Sequence, residues 1–434
     1  MAVMRKNYEC EVCGTRTLVR IQLGWLNMHP IRFNCGECGI LITGQLYAEQ
    51  ESTNVHIEFD NVKELEDISQ SDYYIEVSGE LLTRKLQSFN YEESLIPPFF
   101  SSGLGLMGEG YDGFKEKTNT FLYILENKWA VYRRINELWF TKNYTYLKQD
   151  IKKHILNKQF PLNNDLQYLI AIRQININLL SSILNESFFN KQIKFISEEI
   201  VNQMRRNPRE LNNLAKHYEP FLHRYDEKIF DLIKQFTEKF RFMIPVFGAD
   251  FYENNKLSVL EEKGITTVSF EELKQFYVDV YELITELLDL IISYNNLKYR
   301  KNFQMMKTKR RDIVNISDYC SKTKGVRLEF LDGKEKFDNV VFPHLNNKIR
   351  NAIGHNTYRM DIQTQEIKFY PKGDEQSTDI ITLTLAQFTR KCWDIFQALM
   401  NFSELVYQTR KIYYLSQKLE PSFEHIFIES SNRR

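Results

Sequence analysis

The stretch KIRNAIGHN, residues 348–356, places an arginine, an asparagine and a histidine close together in the sequence. Arg350 and His355 are five residues apart, which is about 140° of rotation on a continuous α-helix, so the two side chains would not share a face. Gly354 can end the helix and turn His355 back toward Arg350. The sequence therefore predicts a cluster of Arg350, Asn351 and His355 at the end of a helix.

These three side-chain types suit metal-independent cleavage of RNA. An imidazole can take a proton from a 2′-hydroxyl or give one to the leaving 5′-oxygen. A guanidinium stabilises the anionic phosphate in the transition state, and Asn351 can orient the phosphate or the imidazole. Taken alone, an arginine and a histidine at this spacing are common by chance, and the spacing itself favours a structural role.

The flanking sequence predicts helices and a hairpin around this stretch. Ser269-Phe270-Glu271-Glu272 is a capping box that opens an apolar-striped helix over 269–297. Further along the chain we expect a helix around 344–353, a hairpin with strands near 365–370 and 380–384, and a final helix from a second capping box at Thr384 to about residue 417.

The residues Arg350-Asn351-x3-His355 resemble the R-N-x3-H signature of the HEPN superfamily (higher eukaryotes and prokaryotes nucleotide-binding domain). The surrounding order of helix, signature helix, hairpin and final helix is similar as well, and the resemblance covers about residues 265–420. It implies a small helical bundle that dimerises, with the arginine and histidine of two protomers in one composite site. Some members carry a tyrosine two residues after the histidine, where this chain has Thr357, followed by Tyr358.

The function implied by the resemblance is an endoribonuclease without a catalytic metal. Arg350 and His355 are then the catalytic pair, and Asn351 is the accompanying polar residue. HEPN ribonucleases recur as toxins and as antiviral, abortive-infection effectors, which implies RNA as the substrate and a partner or trigger that controls the enzyme. Other members lack RNase activity, so the alternative is a non-catalytic HEPN and zinc-ribbon module that binds RNA or protein.

A basic tract with interleaved aromatic residues precedes the signature. Tyr299 and Phe303 lie within it. Its basic residues are Lys298, Arg300, Lys301, Lys307, Lys309, Arg310 and Arg311. Such a tract can hold RNA phosphates and stack a base, and it can equally be the solvated end of a helix. Its place just before the signature favours RNA.

Two CxxCG motifs near the N-terminus predict a zinc ribbon with Cys10, Cys13, Cys35 and Cys38 as ligands. Two residues between the cysteines let both sulfurs reach one ion, and the following glycine relieves the tight turn. Four thiolates leave no open position for a substrate, so the zinc is expected to be structural. A redox dithiol is the alternative. Outside these motifs, the sequence predicts that Cys320 and Cys392 are buried.

The 434 residues suggest two or three domains in a mainly α protein. Short period-two runs at 54–59 and 74–77 indicate strands in the N-terminal region. The segment 94–114 contains Pro97-Pro98 and five of the 17 glycines, which favours a linker or long loop. The predicted order is a zinc-ribbon and β-rich module (1–93), the linker (94–114), a helical middle domain (115–264) and the HEPN-like domain (265–420).

Composition excludes several classes of protein. Lys and Arg together number 57, as do Asp and Glu, so a net charge of zero does not favour a cationic protein that wraps nucleic acid. No apolar run approaches about 18 residues, so a membrane span is not expected. Residues 1–10 lack the apolar segment of a secretory signal. We therefore expect a cytoplasmic protein that does not contact the membrane.

Overall fold

The described residues of the N-terminal region form eight short strands. The computed structural model describes residues 2–48, 55–67, 71–90, 97–154, 157–184, 186–253, 257–373 and 378–425. The strands are β1 (Ala2–Cys10), β2 (Arg16–Leu23), β3 (Met28–Asn34), β4 (Leu41–Ala48), β5 (Val55–Phe59), β6 (Val62–Leu65), β7 (Tyr73–Val77) and β8 (Gln87–Ser88). Of the runs predicted to be strands, 74–77 is confirmed, as are the described residues of 54–59.

These strands form two sheets that share one apolar core. The first sheet has the order β6-β1-β2-β7-β8, in which β2 and β7 are parallel, and the second is the antiparallel sheet β3-β4-β5. Side chains alternate between the two faces of a strand, so each sheet turns one apolar row inward. The shared core includes Val19, Ile21, Phe33, Leu46 and Val77.

The rest of the described chain is mostly helical. The helices are α1 (Gly105–Met107), α2 (Gly110–Asn127), α3 (Trp129–Phe140), α4 (Tyr144–His154), α5 (Asp165–Leu180), α6 (Glu186–Arg206), α7 (Pro208–Phe247), α8 (Val259–Glu262), α9 (Phe270–Glu286), α10 (Leu288–Arg300), α11 (Ile316–Cys320), α12 (Lys324–Leu328), α13 (Asn347–Gly354) and α14 (Leu385–Ser416). A third antiparallel sheet has the order β11-β10-β9, from β9 (Tyr358–Met360), β10 (Glu366–Phe369) and β11 (Ile381–Thr384). With 56% of residues in helices, the mainly α class with a β-rich N-terminal region is confirmed. The HEPN-like bundle stays a prediction.

At both predicted capping boxes the third helical side chain accepts from the backbone of the capping residue, and at Thr384 the Gln387 N–H also donates to Thr384 Oγ1 at 3.2 Å. The backbone N–H of Ser269 donates to Glu272 Oε2 at 2.8 Å, and that of Thr384 donates to Gln387 Oε1 at 2.9 Å. The helix predicted over 269–297 is divided between α9 and α10, which meet at Leu287 with φ −92° and ψ 6°. The hairpin and the final helix lie where the sequence predicts them.

The segment 94–114 differs from the predicted loop. Residues 91–96 lie outside the described part of the chain, and the described remainder is helical, with a π-helix at Phe99–Leu104 followed by α1 and the start of α2. The ring centroids of Phe99 and Tyr111 are 5.3 Å apart. Met107 is buried. Burial of these side chains outweighs the low helix propensity of the glycines.

The chain divides into two compact units, each made of three segments. Unit 1 comprises 1–118, 235–279 and 346–394, and unit 2 comprises 119–234, 280–345 and 395–434. The four cysteines of the CxxCG motifs, α13 and all three sheets belong to unit 1. The basic tract belongs to unit 2. The division into four consecutive domains stays a prediction. Within the described ranges, no helix has both the length and the apolar character that a membrane span requires.

Candidate functional site

Helix α13 carries Arg350 and Asn351 outside its buried face. Asn346 caps the helix, because its Oδ1 accepts the backbone N–H groups of Lys348 and Ile349, each at 3.1 Å. Ile349, Ala352 and Ile353 are buried, at the i, i+3 and i+4 spacing of one helix face. Burial of this face leaves Arg350 and Asn351 partly exposed.

The chain reverses direction just after His355. The backbone N–H of Thr357 donates to Ala352 O at 2.8 Å and that of Asn356 donates to Ile353 O at 3.1 Å, which together form a Schellman motif. Asn356 adopts the left-handed conformation that this motif requires, with φ 55°. Gly354 is instead the last helical residue. The left-handed position thus comes two residues later than the glycine that the sequence suggests.

Arg350 extends along the helix toward this reversal. Its Nη1 donates to Asn351 Oδ1 at 3.2 Å and lies 4.0 Å from the position that a Cβ on Gly354 would occupy. His355 is exposed and, among the described residues, its imidazole has no hydrogen-bond or ion-pair partner. The predicted trio therefore lies on one helix and its C-cap.

The basic tract in unit 2 is largely paired with carboxylates. Arg300 binds Glu335 in a bidentate ion pair with N–O distances of 2.7 and 3.0 Å. The other carboxylate pairs join Lys298 to Glu199, Lys307 to Asp332, and Arg310 to Asp312 and Glu329. These pairs offset much of the positive charge that the sequence suggests is available for phosphate.

Three cations of the tract have no carboxylate partner among the described residues. Lys301 and Lys309 donate to backbone carbonyls, those of Lys298 and Glu329. Arg311 is exposed and has no hydrogen-bond or ion-pair partner in the described part of the chain. Only this part of the tract offers charge that is not offset by a neighbouring carboxylate.

The four cysteines of the two CxxCG motifs meet in unit 1. Their sulfurs lie within 4.8 Å of one another, with Sγ–Sγ distances of 3.7 Å for Cys10–Cys38 and 3.5 Å for Cys13–Cys35. Tetrahedral zinc with bonds of about 2.3 Å separates its sulfurs by about 3.8 Å. The site can therefore bind a metal ion such as zinc.

Two matched backbone turns hold the cysteines. The N–H of Gly14 donates to Cys10 O at 2.9 Å and that of Gly39 donates to Cys35 O at 3.1 Å. Both glycines adopt positive φ, 74° and 77°, where a side chain would be strained. The glycine of each CxxCG motif is thus required by the turn, as the sequence analysis predicts.

The thiols have unequal acidity. The contact between Cys13 Sγ and Thr15 Oγ1, 3.2 Å apart, lowers the pKa of Cys13 to about 6. Burial raises the pKa of Cys35 to about 12. Metal binding favours the thiolate form of every ligand. Elsewhere in the chain, Cys392 is buried as predicted, whereas Cys320 is exposed.

One contact in this region was not predicted from the sequence. The second cysteine turn contacts the loop that follows β9, since Gln363 Nε2 donates to Gly36 O at 3.3 Å. A Cβ on Gly39 would lie only 2.8 Å from Ile362 Cδ1. The alternation of Tyr358, Met360 and Ile362 is the period-two signal that could have revealed this strand.

Comparisons with known proteins returned no match. No protein-family model, curated protein sequence or solved structure matches this chain.

Proposed function

We propose that the protein is a metal-independent endoribonuclease of the HEPN type. The observation that carries the proposal is an R-N-x3-H sequence in which α13 holds the Arg350 guanidinium and its C-cap holds the exposed His355 imidazole. That imidazole has no hydrogen-bond or ion-pair partner in the described chain. Arg350 and His355 act as the catalytic pair, and Asn351 positions the Arg350 guanidinium through their hydrogen bond.

The reaction is transfer of an RNA phosphate to the neighbouring 2′-hydroxyl. His355 takes the 2′-hydroxyl proton as the oxygen attacks phosphorus, or protonates the departing 5′-oxygen. Arg350 stabilises the additional negative charge on the phosphate oxygens in the transition state. The products are a 2′,3′-cyclic phosphate and a 5′-hydroxyl end.

A homodimer supplies a second proton-transfer group. One α13 offers a single imidazole, whereas the reaction needs both a base and an acid. Two copies of α13 facing each other across a twofold axis would place two arginines and two histidines at one phosphate. This composite site is the one that the HEPN resemblance implies.

The four-cysteine site holds a structural zinc ion in this proposal. All four ligand positions are thiolates of the protein, so the ion stabilises the fold and does not meet substrate. Lys301, Lys309 and Arg311, which have no carboxylate partner among the described residues, assist RNA binding through phosphate contacts. A cytoplasmic toxin or antiviral effector, restrained by a partner or trigger, is the setting that the resemblance favours.

The proposal is tested by cleavage of a labelled single-stranded RNA in EDTA, with zinc retention measured in parallel. We expect Arg350→Ala and His355→Ala each to reduce the cleavage rate by at least about 100-fold, the lower range for loss of a general acid–base or a charge-stabilising group. His56→Ala is the matched control, because His56 is exposed and pairs with Glu58 outside α13. Equal rates for wild type and His355→Ala would contradict the proposal.

The second candidate is a non-catalytic module that binds RNA or protein. A monomer would favour this second candidate. One copy of α13 and its C-cap carries a single imidazole, so a monomer does not bring a second one to the same phosphate. In that case, neither Arg350→Ala nor His355→Ala removes a cleavage activity, and both leave affinity for the bound partner nearly unchanged. Sedimentation of the purified protein distinguishes the monomer from the dimer.

A further inference from the structure

A cleft in unit 1 is lined in part by residues that follow His355 closely in the sequence. It has a volume of about 240 Å³. One wall is formed by β3 and the start of β4, which contribute Arg32, Phe33, Asn34 and Leu41. A second wall is the start of α9, which contributes Phe270. The third wall consists of Tyr358, Met360 and Ile362, the alternate residues of β9 and the loop after it.

The position of β9 brings this cleft close to His355 along the chain. Tyr358 follows His355 by three residues, and the Schellman motif fixes the backbone between them. Thr357 Oγ1 donates to Tyr370 O at 2.7 Å. Tyr370 directly follows β10, the strand that pairs with β9, so this bond anchors the turn next to that strand. A group in the cleft is therefore only a few residues of backbone away from the imidazole.

The size and surface of the cleft fit one nucleobase. A cavity of about 150 Å³ accommodates benzene, so about 240 Å³ has room for a base but not for a folded RNA element. The Tyr358 ring is half-buried and held in place, because its hydroxyl accepts from Lys274 Nζ at 2.7 Å and donates to Glu271 Oε1 at 3.0 Å. Fixed aromatic and apolar walls of this kind stack unpaired bases.

The β3 wall offers one donor and one acceptor for the edge of a base. Arg32 is oriented by three hydrogen bonds. Its Nε donates to Glu272 Oε1 at 3.0 Å, and its Nη1 donates to the carbonyl oxygens of Ile31 and Gly44. Its Nη2 has no hydrogen bond among the described residues. Asn34 Nδ2 donates to Gly39 O at 3.0 Å, and its Oδ1 is likewise without a partner in the described chain. A base edge pairs with such a donor and acceptor.

The chain that leads into the Tyr358 wall is basic, whereas the α9 wall of the cleft includes Glu271. Residues 347–360 contain Lys348, Arg350 and Arg359 and no acidic residue. Lys348 is paired with Asp379 at 3.2 Å. A basic stretch of chain next to Tyr358 and Met360 suits contact with RNA phosphates.

We propose that this cleft binds one unpaired base of the RNA substrate and thereby selects the phosphodiester that is placed at His355. The proposal rests on the proposed ribonuclease function for its consequence, the choice of cleavage site. The binding of the base itself needs no catalysis, so it can be measured in an inactive variant.

The experiment measures binding of labelled hexanucleotides of A, C or U to the His355→Ala protein. We expect one base to bind at least about tenfold more tightly than another, the scale of one stacked base. Adding Met360→Trp fills the cleft and should remove this preference, and Asn34→Ala should reduce it without changing the apolar walls. Thr382→Trp is the control, because it adds the same ring at an exposed position of β11.

The outcomes separate this proposal from the ribonuclease proposal. Absence of a base preference, or a preference that survives both Met360→Trp and Asn34→Ala, overturns the cleft as a base site. Circular dichroism and zinc content establish that the variants are folded. Wild-type protein is tested for cleavage of the same oligonucleotides. A base preference without cleavage overturns the ribonuclease function and supports the cleft, whereas cleavage without a preference overturns only the cleft.

Discussion

Glu80 is a carboxyl group buried in unit 1 next to the turn that follows β2. Its Oε1 accepts the backbone N–H groups of Trp25 at 2.5 Å and Leu26 at 2.9 Å. These two donors favour the carboxylate, but burial dominates and raises the pKa of Glu80 from 4.5 to about 7. Because the folded state holds the proton more tightly than the unfolded state, stability falls as the pH rises through this interval.

The pH dependence of Glu80→Gln tests this assignment. The amide keeps an acceptor for the two backbone donors and removes the charge. We expect the free energy of unfolding of wild type, relative to that of Glu80→Gln, to fall by about 2 kcal/mol between pH 5 and pH 8. Urea unfolding at both pH values measures it. A difference between the two proteins that does not change with pH would show that Glu80 has an ordinary pKa.

At the scale of single elements, the C-terminal end of α13 determines where His355 lies. Asn356 holds the left-handed position of the Schellman motif with φ 55°. Glycine adopts this conformation freely, whereas alanine pays about 1 kcal/mol or more. We expect Asn356→Gly to preserve stability and RNA cleavage, and Asn356→Ala to lower both. Thermal unfolding and the cleavage rate are the measurements, and equal behaviour of the two variants would contradict this role.

The local elements were the most predictable part of the fold. Capping boxes at Ser269 and Thr384 and the two CxxCG turns depend on residues three or four positions apart, so their sequence patterns carry the necessary information. The strand at 358–360 was missed because its alternating pattern covers only three strand residues and continues only into the loop at Ile362. Its cleft also needs Asn34 and Ile362, which are more than 300 residues apart in the sequence. Local periodicity does not encode such a contact.

At the scale of the whole molecule, each compact unit consists of segments that are far apart in the sequence. Unit 1 joins the N-terminal sheets to segments 235–279 and 346–394. The backbone N–H of Arg32 donates to Thr266 O at 2.8 Å, which ties β3 to a segment more than 200 residues later. Changes of composition along the chain do not record pairings of this length, so the sequence alone did not predict this contact.

The metal site should stabilise this N-terminal assembly. We expect one zinc ion per chain, and we expect Cys13→Ser to lose it and to lower the free energy of unfolding by on the order of several kcal/mol. Hydrogen exchange should then increase in residues 2–48. Cys320→Ser is the matched control, since Cys320 is exposed and lies outside the four-cysteine cluster. Full stability of Cys13→Ser would contradict a structural role for the metal.

The chemistry of the RNA product ends tests whether the protein is a metal-independent ribonuclease that uses His355. Purified wild-type protein, with zinc content verified, is incubated with a defined RNA beside His355→Ala, and the product ends are identified by mass spectrometry. We expect 2′,3′-cyclic phosphate and 5′-hydroxyl ends from wild type only. Products with 3′-hydroxyl and 5′-phosphate ends, or the same products from His355→Ala, would contradict it.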